Sequence, residues 1–166
     1  MTIGGYPAFG AAHAAAGVLA LAAGLVIFLG RKGTARHVRL GWVYVGCMAW
    51  VDASALSIRR LTGRFNLFHA LAVVSLVMVV GGVAQVVWRR RIRRWLWRHY
   101  QYMSWSYVGL LAATANELCV RVPALKAMTL RSRGWLPVAA SAVIVAASAL
   151  VIVSNQRRVL LPLDDA

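Results

Sequence analysis

HAAAGVLALAAGLVIFLGRKGTARHVRLGWVYV, residues 13–45, decides the fold. No charged residue occurs between His13 and Gly30; then Arg31, Lys32, Arg36 and Arg39 follow in quick succession, and a second apolar run opens at Leu40. The first run begins at about Phe9, and its length matches the about 20 mostly apolar residues a membrane-crossing helix needs. Unpaired backbone cannot cross lipid, and no strand alternation appears, so both runs read as α-helices joined by a short basic turn.

The same alternation continues outward from this hairpin. Apolar segments run over about 9–30, 40–58, 66–88, 100–120 and 135–154. The expected fold is an all-α integral membrane protein of five transmembrane helices, the first four forming a bundle, in a single domain over 1–166. Composition agrees: of 166 residues 61% are hydrophobic and only 14% charged, with a mean hydropathy of +0.67, well below the charge of a soluble domain. The first segment is not expected to be a cleaved signal peptide, because no basic residue precedes it and two follow it.

Nineteen lysines and arginines stand against four acids, a net charge of +15. The bases cluster between apolar segments, where they set topology and meet anionic lipid headgroups, so nucleic acid is not the expected partner. Twelve fall on one side (Arg31, Lys32, Arg36, Arg39; Arg89, Arg90, Arg91, Arg93, Arg94, Arg98; Arg157, Arg158) and seven on the other (Arg59, Arg60, Arg64, Arg121, Lys126, Arg131, Arg133). The positive-inside rule puts the twelve in the cytoplasm, with the amino terminus outside and the carboxyl terminus inside a bacterial cytoplasmic membrane. Trp88, Trp95 and Trp97 lie among the arginines, as amphipathic rings do at headgroup level. Cys47 and Cys119 fall at different depths, which argues against a disulfide.

The four histidines carry the functional information. His13 lies 18 residues before Arg31 and His69 lies 19 before Trp88, roughly 27–28 Å along a helix, which places both near the outer surface. His37 and His99 open helices that start on the cytoplasmic side. In a bundle whose sequential neighbours are adjacent, alternate helices are diagonal, so His13 pairs with His69 and His37 with His99. Diagonal imidazoles leave room for a flat macrocycle whose iron takes axial histidines. Small residues accompany them: Ala16, Gly17, Ala20 and Gly24 below His13, Gly41 beyond His37, and Ser106 and Ala113 on the face of His99, with Met103 one turn away. Such stripes equally let helices pack closely with no cofactor, and histidines near headgroups can be purely interfacial. Zinc or copper would want three or four ligands at one site, whereas these histidines separate into two layers.

Two acids fall in apolar segments. Asp52, in the outer half of the second, is the candidate for proton handling or for orienting an imidazole. Glu117 lies one helical turn from Arg121, where a salt bridge is the simpler expectation. No nucleotide loop, GxSxG, HExxH or CxxC motif occurs, so hydrolase, ATPase and thiol-redox chemistries have no footing.

The pieces 13–45, FNLFHAL (65–71) and RHYQYMSWSYVGLLAATANE (98–117) resemble a family of bacterial predicted membrane proteins of unassigned function. In that family a first-helix His, a Lys-Gly turn, a second His, an F-x-x-x-H piece and an H-x-x-x-M piece recur in order; here they are His13, Lys32-Gly33, His37, Phe65 to His69, and His99 to Met103. The architecture is also similar to the cytochrome b561 family, which pairs histidines of alternate helices at two haems. That similarity implies haem ligation by His13 with His69 and by His37 with His99. This chain has five expected helices rather than six, and shares no motif with that family beyond the histidines. The expected function is a b-type cytochrome with two bis-His haem b sites, linked to a quinol or another electron donor. The alternatives are a small non-enzymatic membrane subunit with interfacial histidines, or a non-haem metal protein.

Overall fold

The computed structural model of the chain describes residues 7–57 and 67–164, with side chains described over 8–57 and 69–156. Six helices follow one another: α1 (Pro7–Leu29), α2 (Ala35–Ser57), α3 (Leu67–Val87), α4 (Trp95–Arg121), α5 (Pro123–Arg131) and α6 (Trp135–Asp164). There is no strand among the described residues. Ile58, Arg59, Arg60, Arg64, Phe65 and Asn66 lie outside the described residues, as do the side chains of Arg157 and Arg158.

The burial pattern is that of a membrane protein turned inside out relative to a soluble one. Many buried positions hold small or polar residues (Ala16, Ala20 and Ala23 along α1, Asp52 and Ser54 on α2, His69 and Gln85 on α3, and Ser104 and Ser106 on α4), beside larger ones such as Tyr44, Met48 and Val79. Large apolar side chains face outward, among them Val18, Leu19 and Leu25 on α1, Val73, Val77 and Val80 on α3, and Val143, Leu150 and Val153 on α6. In lipid, apolar surface gains nothing from burial, so close packing of small residues and interhelical hydrogen bonds hold helices together instead. Exposed apolar surface of this extent marks a membrane-facing molecule.

Three helices are long and apolar enough to cross a bilayer: Ala8–Leu29, His69–Val87 and Trp135–Gln156. A fourth crossing results if α4 and α5, which meet at a 92° bend, form one broken span. Segment boundaries shift from the sequence expectation. α2 starts at Ala35 rather than Leu40, α4 at Trp95 rather than Tyr100, and α6 runs on to Asp164. The extra turns are polar helix that hydropathy alone reads as loop. The short α5 was not expected; Pro123 at its first position is pre-organised to start a helix and cannot continue one.

The chain divides into two compact units, 1–103 and 104–166, the boundary falling within α4. In the first, α2 packs against both α1 and α3. The turn before it is built by side chains. Lys32 Nζ donates to the carbonyls of Ile27, Phe28 and Gly30 at 2.8, 2.6 and 2.9 Å, satisfying oxygens that a helix end leaves without partners. Gly33 takes a left-handed φ of 75°, which costs glycine nothing. Thr34 Oγ1 then accepts from the His37 amide at 3.2 Å, an N-cap for α2. In the second unit Asn116 of α4 donates to Ser141 of α6 at 3.1 Å, and α5 packs on α6.

Candidate functional site

Two histidines from separate helices meet at one end of the first unit. His37 is held on the first turn of α2 by the Thr34 cap, and His99 sits one turn into α4. Their ring centroids are 6.4 Å apart with planes at 79°. His99 Nδ1 lies 2.8 Å from the Gly82 carbonyl oxygen of α3. A carbonyl only accepts, so Nδ1 carries the proton, and in the neutral ring Nε2 is the unprotonated nitrogen. His37 Nδ1 is buried with no hydrogen-bond partner among the described residues.

Glycines make this approach possible. A Cβ on Gly82 would stand 2.5 Å from Met103 Sδ and 2.9 Å from its Cγ, and one on Gly81 would stand 2.9 Å from the Tyr102 ring. The first turns of α4 therefore lie against bare α3 backbone, which puts His99 within reach of a main-chain carbonyl. Met103, expected beside His99, fills the place a side chain at Gly82 would take. Gly41, one turn beyond His37, has open space where its Cβ would be. A cavity of about 300 Å³ opens beside His37, with Val26, Ile27 and Leu40 as apolar walls and Arg31 and Arg36 on its lining.

The other end of the unit holds a second polar layer. His13 Nδ1 is 2.6 Å from Ser54 Oγ, and the Ser54 hydroxyl donates to the Val51 carbonyl at 3.0 Å. A hydroxyl has one hydrogen to give, so His13 Nδ1–H is the donor to Ser54, again leaving Nε2 unprotonated. Asp52 is 3% exposed and accepts from the Ser75 hydroxyl of α3 at 3.1 Å. Residues two apart on a helix point about 200° apart, so Ser54 serves α1 while Asp52 serves α3. His69, near the start of α3, is 6% exposed.

Of the expected site residues, His37 and His99 are brought together. His13 and Asp52 are tied to serines of the neighbouring helix, and His69 is buried on α3. Glu117 forms its ion pair with Arg121, both half exposed, as its spacing suggested. On α4, Ser106 is buried but Ala113 is exposed, so the small-residue face expected beyond His99 does not extend that far. Ser54, Ser75 and the Gly81-Gly82 pair were not singled out from sequence. The glycine pair in a valine-rich helix and a serine two residues after an intramembrane acid are the signals that could have found them.

The donor set decides which metal could fit. Among the described residues no three His, Cys, Asp or Glu side chains converge, which leaves no tetrahedral zinc site. Two imidazoles alone could ligate only a metal that brings its remaining donors with it, as haem iron would. Both His99 and His13 donate through Nδ1 to a protein oxygen, the arrangement that orients a ligating imidazole.

The family described as Predicted membrane protein (DUF2306) matches residues 10–154, and the chain belongs to that family. The matched stretch includes all four histidines and Asp52. No curated protein and no solved structure matches the chain. The likeness to the cytochrome b561 family therefore rests on histidine placement alone.

Proposed function

We propose that this DUF2306 member is a b-type cytochrome of a bacterial cytoplasmic membrane, with transmembrane electron transfer as its activity. His37 and His99 would hold a haem at the inner face, and His13 and His69 a second at the outer face. The observation that carries this reading is the approach of the His37 and His99 rings to 6.4 Å between centroids, with His99 fixed through Nδ1 by the Gly82 carbonyl. Haem, when bound between two histidines, supplies one-electron transfer with no open coordination position for oxygen.

The chain's own residues supply the rest. Gly82 and Ser54 accept the Nδ1 protons of His99 and His13, which holds each ring in the tautomer that presents Nε2. Asp52, held by Ser75, is the group to take a proton from a quinol or similar donor at the outer layer. Five crossings are proposed, by α1, α2, α3, α4 and α6, with the first four as the cofactor-bearing bundle. α2 is less apolar than α1, α3 and α6, but it packs between two helices apolar enough to cross and buries Asp52 and Ser54 there. The amino terminus is then outside, and the Arg-rich turns at 31–39 and 89–98 are cytoplasmic.

A specific observation also favours the second reading, a small non-enzymatic membrane subunit. The hydrogen bonds His13–Ser54 and His99–Gly82 would by themselves join helices in lipid. A reduced-minus-oxidised absorption spectrum of the detergent-purified protein, with a pyridine haemochrome assay, separates the two. About two low-spin b haems per chain support the cytochrome. Colourless protein from a haem-replete host sinks it and leaves the subunit.

A further inference from the structure

We propose that the cavity at the α1–α2 turn is a binding site for an anionic phospholipid, with Arg31 and Arg36 on its phosphate and Val26, Ile27 and Leu40 against the start of its acyl chains. His37, which the proposed function gives to a haem, also lines this cavity, but none of the proposed lipid contacts uses it. Its volume is about 300 Å³, the lower end of small-molecule sites and enough for a headgroup with its first methylenes. Its lining is amphiphilic in the way such a ligand requires: three branched apolar side chains and two guanidinium-bearing residues.

Among the described residues no acid pairs with either arginine. The whole chain has four acids against nineteen lysines and arginines. Asp52 is buried against Ser75, Glu117 is paired with Arg121, and the other two are at the carboxyl terminus. Among the described residues neither Arg31 nor Arg36 takes part in an ion pair. Lys32, between them in sequence, is committed to the carbonyls at the end of α1; burial lowers its pKa from the ordinary lysine value. The turn thus separates a structural cation from two that are exposed and uncommitted. Guanidinium groups bind phosphate oxygens in bidentate fashion, and basic pockets between membrane helices on the cytoplasmic side take anionic headgroups. Arg31 and Arg36 also sit where the apolar end of α1 gives way to the basic turn, so acyl chains and phosphate fall on the matching walls.

The test uses the full-length protein in mixed micelles of phosphatidylglycerol and phosphatidylcholine, with retained lipid counted by native mass spectrometry. Wild type should retain phosphatidylglycerol preferentially. The double variant Arg31→Gln, Arg36→Gln should lose that preference by on the order of tenfold or more, since each base near a headgroup contributes roughly one decade or somewhat less. Arg89→Gln with Arg90→Gln, in the other basic turn, should keep it. Ile27→Trp, which fills the cavity without changing charge, should also lose it. Equal retention of the two lipids, or equal losses from the two arginine pairs, would overturn the proposal. Displacement by inorganic phosphate alone, with no effect of Ile27→Trp, would make it a soluble-anion site and overturn the lipid assignment. Loss of haem with unchanged lipid retention would assign the arginines to the cofactor's carboxylates instead.

Discussion

His99 donates through Nδ1 to the carbonyl of Gly82 at 2.8 Å, and this single bond sets how its ring faces His37. A backbone acceptor cannot be removed by mutation, but the approach that creates it can. Gly81→Ala with Gly82→Ala places two methyl groups against the Tyr102 ring and Met103. Met103 can swing aside, whereas the Tyr102 ring has less freedom, so α4 must move. A cost of about 1–3 kcal/mol in stability is expected for such overpacking, read as a lowered midpoint of thermal unfolding in detergent. If the proposed haem is held by His37 and His99, the same variant should broaden or diminish its spectrum. An unchanged midpoint and spectrum would mean that the glycines do not govern the approach of α4.

On the proposed reading, His37→Ala and His99→Ala should each remove the same haem, lowering content from about two to about one per chain. The double variant should be no worse than either single change if, as proposed, the two rings serve one iron. Pyridine haemochrome analysis of all three proteins checks this. Additive losses across the two histidines, or full haem content in either single variant, would break the pairing.

Ser54→Ala leaves His13 in place but removes the oxygen that its Nδ1–H donates to. In lipid such interhelical bonds contribute about 0.6–2 kcal/mol, so a small loss of stability is expected. If His13 is an axial ligand, the outer haem should remain bound while its reduction potential shifts, since the partner of Nδ1 tunes imidazole basicity. Redox titration of the purified variant tells this apart from a purely structural bond, which would leave the potential where it was.

Asp52→Asn keeps a side chain that accepts from Ser75 and fills the same space, but it cannot take a proton. Stability should change little, whereas the rate of haem reduction by a quinol should fall by about 10²-fold or more, the usual contribution of a positioned base. Asp52→Leu should instead destabilise the protein, because it leaves the Ser75 hydroxyl facing an apolar group. Stopped-flow reduction of the Asn variant at wild-type speed would remove Asp52 from any proton route.

How far the sequence discloses this molecule depends on which force positions each residue. Helix existence is legible because lipid demands uninterrupted apolar runs, and α1, α3 and α6 fall where those runs are. The alternating depth of the histidines is legible because helix rise converts sequence distance into height, and it brought His37 and His99 to the same end. Helix ends are less legible. Ala35–Arg39 and Trp95–His99 form helix outside the apolar runs, held by a Thr34 cap and by packing on Gly81-Gly82. Partners are least legible of all. Nothing in the local pattern says that Ser54 answers His13 while Asp52, two residues earlier, answers Ser75, because those pairings depend on which helices flank α2.

The crossing of α2 is the part of the topology that charge and apolarity leave most open, and it has a direct test. Arg36 and Arg39 at its start and Asp52 in its second half keep it from being apolar enough on its own. Burial of Asp52, on a helix packed against both α1 and α3, answers its share of that cost, since polar residues inside a bundle are not presented to lipid, whereas Arg36 and Arg39 lie in the first turns of the helix. If α2 crosses, Thr34 and Ile92 lie on the same side, and Ser132 lies opposite. With Cys47 and Cys119 replaced by serine, single cysteines at these three positions can be probed with a membrane-impermeant maleimide. Spheroplasts should label Ser132→Cys and leave Thr34→Cys and Ile92→Cys unlabelled until they are lysed. Labelling of Ile92→Cys from outside while Thr34→Cys stays protected would mean that only one of α2 and α3 crosses. His37 and His99 would then be on opposite sides of the bilayer, and their shared site would be lost with the topology.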